Sequence, residues 1–141
     1  MKTLLALVLM LGFASRLGAQ DTTAAAAAAA APRPAQDVSV DAVLARNVMD
    51  RAPQDTGTAF PADVGSVVLW TRVTGADGQT LSHVWFYGDT DVGNVPLTIG
   101  GSPWRTWSRK TIPAEATGAW HVEVRDAAGN VLKRIDFTVG Q

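Results

Sequence analysis

Trp120-His121-Val122-Glu123-Val124-Arg125, followed after Asp126-Ala127-Ala128-Gly129-Asn130 by Val131 to Val139, decides the fold. In the first segment Trp120, Val122 and Val124 alternate with His121, Glu123 and Arg125, so one face is apolar and the other charged or titratable. The second repeats that period, with Ile135, Phe137 and Val139 set against Arg134, Asp136 and Thr138. Gly129-Asn130 lies at the bend, where residues that tolerate positive φ favour a tight return. The pair reads as an antiparallel hairpin. A hairpin alone is marginal, so upstream strands must cover its apolar face.

Working back along the chain, strands are expected at Val38 to Leu44, Ser66 to Thr74, Leu81 to Tyr87, Val95 to Ile99 and Trp104 to Thr111. Ser66 to Thr74 carries large apolar groups on both faces, as a covered central strand does. Ala42 to Met49 also fits a helix. Arg51 to Pro61 reads as a loop rich in Pro, Asp, Gly and Thr, with Phe60 plugging into the core. With the terminal hairpin this makes seven short strands and no helical layer to cover a sheet, so sheet must pack on sheet. The expected fold is all-β, an immunoglobulin-like antiparallel β-sandwich of about seven strands, with a partly open barrel as the other packing.

Three segments follow from composition. Residues 1–19 read as a secretory signal peptide: Met1-Lys2-Thr3 is a short positive region, Leu4 to Phe13 an apolar run, and Ser15 to Ala19 the cleavage region. That run is too short to cross about 30 Å of hydrocarbon as a permanent helix. Residues 20–37 form an Ala/Pro-rich linker, with alanine from Ala24 to Ala31 before Pro32-Arg33-Pro34, and residues 38–141 are the β-sandwich domain. A periplasmic or secreted location follows. Cysteine is absent from the sequence, so disulfides, a lipidated N-terminal cysteine and a thiol nucleophile are excluded. Removing Lys2 and Arg16 with the leader leaves ten basic side chains against thirteen acidic, which gives no reason to expect nucleic acid or an anionic membrane.

Five ordered segments, Asn47 to Pro53, Phe60 to Gly65, His83 to Tyr87, Trp104 to Lys110 and Thr117 to Val124, resemble the bacterial family catalogued as domain of unknown function 2914. The matching residues are His83, Trp85, Trp104, Arg105, Trp107, Ser108, Lys110, Gly118, Trp120 and Gly129. The resemblance implies a small exported or membrane-attached all-β module and brings no established activity. Where the family often carries a cysteine this chain has Arg46-Asn47, so no thiol role carries over.

Motifs for chemistry are sparse. His83 and His121 are the only histidines, and neither His-x-His nor His-Glu-x-x-His spacing exists; a zinc site would need both together with Glu123 or Asp126. Ser66, Ser82, Ser102 and Ser108 lack a nucleophile elbow. Asp89, Asp91, Glu115 and Asp126 sit at expected turns, where solvated acids are ordinary. Neither catalytic residues nor a cofactor are therefore expected. The informative stretch is Trp104-Arg105-Thr106-Trp107-Ser108-Arg109-Lys110. Alternation sends Trp104 and Trp107 to opposite faces, one toward the core, and gathers Arg105, Trp107 and Arg109 outside. Such a set can stack a ring on a sugar or peptide and pair guanidinium with carboxylate; it can equally lay the arginine stems over Trp107 as a cation–π cap. The candidate binding surface is His83, Trp85, Tyr87, Arg105, Trp107, Arg109 and Lys110. Function is expected to be noncatalytic, through an envelope protein partner or a structural envelope role. A carbohydrate or cell-wall glycan module is the alternative and a small hydrolase the remote one.

Overall fold

Alternating apolar side chains need two layers to be buried, and the strands supply them. The computed structural model describes residues 37–141, so the leader (1–19) and all of the linker up to residue 36 lie outside the described residues. The strands are β1 (Ser39–Met49), β2 (Ala52–Thr56), β3 (Ala59–Phe60), β4 (Ser66–Thr74), β5 (Thr80–Tyr87), β6 (Thr90–Thr98), β7 (Trp104–Thr111), β8 (Gly118–Arg125) and β9 (Val131–Val139). One sheet runs in the order β2-β1-β4-β7 and the other β3-β9-β8-β5-β6. The two pack face to face as a sandwich-like pair.

The count among the described residues is nine, not seven, because the segment expected to be a loop contains β2 and β3. Asp50 and Arg51, with φ of 50° and 62°, form the two-residue turn that folds β2 back on β1, Met49 opposite Ala52. The helical alternative for Ala42 to Met49 is overturned. Val40, Ala42 and Leu44 pair with Val73, Thr71 and Leu69 of β4, and a helix would withdraw that inner row from the core.

The inner face of β4 contributes Val67, Leu69 and Val73 to the core, and β8 contributes Trp120, Val122 and Val124. Across the second sheet, Trp85 and Phe60 each meet the Phe137 ring edge-on, at 6.2 and 6.0 Å. Phe60 is thus the plug expected from sequence, 3% exposed, although it belongs to a short strand parallel to β9. At the seam where the edge strands β6 and β7 approach, Lys110 Nζ donates to the Val92 carbonyl and ties one sheet to the other.

Candidate functional site

The seven candidate surface residues fall into four separate places. His83 and Trp85 alternate with Val84 along β5 and take its inner side, where both are at most 1% exposed. A directed chain of hydrogen bonds satisfies them. Thr71 Oγ1 donates to the Thr106 carbonyl (3.0 Å), which leaves it to accept from His83 Nε2 at a long 3.4 Å. His83 Nδ1 then accepts from Ser108 Oγ (2.7 Å), and Ser108 Oγ accepts from the Trp85 indole (3.3 Å). Each donor has an acceptor when the imidazole is neutral, and burial lowers the His83 pKa to about 4. The pair has the separation of a serine–histidine dyad but lies inside the sandwich, with Ser108 5% and His83 1% exposed.

Tyr87 lies at the far end of β5, its hydroxyl donating to the Thr117 carbonyl (2.8 Å) and its ring 4.8 Å from that of Trp120. Lys110 belongs to the seam between sheets. Only Arg105, Trp107 and Arg109 share the outer face of β7. Among them Arg109 is engaged, donating to Ser66 Oγ (3.0 Å) and Asn47 Oδ1 (3.1 Å), so its guanidinium is drawn toward β1 and β4. The cation–π contact found among the described residues is elsewhere, with Arg125 over Phe86 at 5.5 Å.

The outer face of the first sheet is built in rows. Val43, Trp70 and Trp107 lie side by side across β1, β4 and β7, and the next row is Asp41, Arg72 and Arg105. Trp70 Nε1 donates to the Arg51 carbonyl (2.9 Å), which draws the β1–β2 turn over this face and brings Arg51 beside β7. An open groove of about 650 Å³ results, with Arg51, Trp104, Arg105 and Trp107 in its lining. Trp104 and Trp107 are 39% and 41% exposed. The expectation that one of them enters the core is corrected. Trp104 does share the inner row with Val73, but it is the first residue of β7 and stays exposed, its ring resting on Gly100, where a Cβ would come within 2.8 Å.

Arg51 is the lining residue that sequence missed. A non-glycine residue at φ 62° costs about 1 kcal/mol in backbone strain. Arg51→Gly should therefore be as stable as the parent or up to about 1 kcal/mol more stable. Urea titration checks this, and a loss of stability would show that the arginine is held for structural reasons.

The outer face of the second sheet is charged and internally paired. Glu123, 7% exposed, accepts from Arg125 Nε (2.7 Å), and Arg134 lies 3.9 Å away. Arg134 pairs with Asp136 (2.7 Å), whose pKa is lowered chiefly by that hydrogen bond. His121 is 3.8 Å from Glu123 and stacked on Phe86. His121 and His83 thus occupy opposite faces of one sheet and cannot share a metal ion. Among the described residues no helix is long and apolar enough to cross a membrane.

Residues 78–139 match the family described as "Protein of unknown function (DUF2914)". The match takes in β5 to β9 with all ten residues that carried the resemblance, while Asn47 to Pro53 and Phe60 to Gly65 precede it. No curated protein matches the sequence. Among solved structures, the chain is similar to an engineered protein from the Northeast Structural Genomics Consortium at 20% identity and a TM-score of 0.37, over 60% of this chain and 18% of that one. The chain spans less than a fifth of that protein's length.

Proposed function

We propose that this chain is an exported, noncatalytic binding module with an immunoglobulin-like sandwich, and that it engages a component of the cell envelope through the outer face of β1, β4 and β7. The observation that carries the reading is the pair of exposed indoles in one groove with two arginines, neither of which has a carboxylate within ion-pair distance among the described residues. Aromatic and arginine side chains supply most of the energy at recognition surfaces. Sealing of the His83–Ser108 pair and pairing of Glu123 with Arg125 support a noncatalytic role, since neither set meets open solvent with an unpaired reactive group. The strand order supports the fold: β1-β4-β7 and β9-β8-β5-β6 run in the order expected of an immunoglobulin-like sandwich whose fourth strand sits in the second sheet, with β2 and β3 added at the outer edges. Export is supported by the sequence of residues 1–19.

Capture from a bacterial envelope extract tests the reading, comparing the parent with a Trp107→Ala/Arg105→Ala double variant. Both side chains are exposed, so the variant should melt within a few degrees of the parent. Loss of the captured component supports the assigned face, and unchanged capture overturns it.

A further inference from the structure

We propose that the groove beside β7 binds an acidic glycan, a polymer whose sugar rings carry carboxylates. The assignment rests on the binding-module reading and names the chemistry of its ligand. Sugar rings present faces of C–H groups that pack on flat aromatic surfaces, and their carboxylates pair with guanidinium. The groove offers both: Trp104 and Trp107 are each about two-fifths exposed, and Arg51 and Arg105 stand beside them. Thr98 and Thr106 also line the groove and bring polar groups to it. Among the described residues no aspartate or glutamate lines the groove, so charge complementarity there is with an anion.

Rigidity points to a sugar rather than to a peptide. The Trp104 ring packs closely on Gly100, whose missing Cβ leaves room for the far edge of the indole, and the Arg51 turn is anchored by the Trp70 indole. Groups fixed before binding lose little entropy on meeting a stiff ligand. A volume of about 650 Å³ is in the range of sites for small ligands and short oligomer segments. Arg51 fits the same account, because a strained turn residue is retained where its side chain is used.

Titration of the full chain with trigalacturonate, maltotriose and a triglutamate peptide, followed by tryptophan fluorescence and calorimetry, tests the assignment. Trigalacturonate should bind, with affinity falling as salt is raised. Trp107→Ala should weaken it about tenfold, and Arg105→Gln and Arg51→Gly should each weaken it by a similar factor without loss of folding. Maltotriose bound as tightly as trigalacturonate overturns the need for charge. Triglutamate bound as tightly overturns the need for a sugar ring. Should no acidic sugar bind while envelope capture still depends on Trp107 and Arg105, the glycan assignment falls and the binding face stands. If capture is also unchanged in the double variant, both fall.

Discussion

Phe60→Ala should cost about 4 kcal/mol of folding stability, the largest effect expected of any single truncation outside the central strands. Phe60 is 3% exposed, and its ring meets Phe137 edge-on at 6.0 Å, in the same aromatic group that holds Trp85 and Trp120. Removing it forfeits the transfer energy of an aromatic ring and leaves a cavity that β3 can refill only by moving. β3 has little else to hold it. Its ladder to β9 spans Ala59–Thr138 and Phe60–Val139, with Thr138 donating to the Thr58 carbonyl (2.9 Å) and Gly140 to the Phe60 carbonyl (2.8 Å). Against a total stability of about 5–15 kcal/mol for a small domain, the loss is severe. Urea unfolding should show a lower midpoint, and hydrogen exchange should quicken first at the amides of Thr138 and Gly140. Phe60→Leu, which keeps most of the volume, should lose about 1 kcal/mol. A small loss in the alanine variant would mean that β3 docks by backbone pairing alone.

That the plug could be anticipated but its strand could not has a plain physical cause. An apolar ring amid polar turn residues has only one favourable destination, so Phe60 is legible as buried. β2 and β3 give no periodic signal: β2 is almost wholly exposed, β3 is two residues long, and Pro53, Asp55 and Gly57 all read as turn chemistry. Register irregularity hid the start of β6 in the same way. The ladder to β5 shifts between Trp85 and Phe86, which breaks the alternation over Thr90 to Asn94 and left only Val95 onward recognisable. Where alternation is unbroken, as in β4, β5, β7 and β8, the two faces follow the sequence.

The candidate site divides along the same line. Placement of Arg105, Trp107 and Arg109 on one face follows from a period of two, and the structure puts them there. Whether a face is inner or outer depends on the opposing sheet, which a single strand does not encode. His83 and Trp85 therefore read equally well as surface or core. Arg51 was out of reach because its place depends on a two-residue turn bending over Trp70, a contact between residues nineteen apart.

Acidification from pH 7 to pH 4 should remove about 3 kcal/mol of stability through His83 alone. Unfolded, the imidazole takes up a proton near its ordinary pKa of 6.5; folded, it does so only near 4, because burial disfavours the charged ring. Between those values the unfolded chain binds more protons, so stability rises with pH. The contribution is complete above about 6.5, declines as pH falls through that window, and changes no further below about 4. The bonded polar neighbours of the ring, Thr71 and Ser108, are uncharged, and the chain Trp85–Ser108–His83–Thr71–Thr106 is satisfied only by the neutral form. Asp126 and Asp136 act in a lower window. Hydrogen bonds from Asn130 and Arg134 hold their pKa values below 3.8, so their contributions are present above that value and fade as pH falls past it. Urea midpoints measured from pH 4 to 7 should therefore slope upward in the parent and run nearly flat in His83→Gln, while the two proteins lose stability in parallel below pH 4. A parent that is flat across the same window would mean that the imidazole reaches water in the folded state, and the closed core assigned to the His83–Ser108 pair would have to be abandoned.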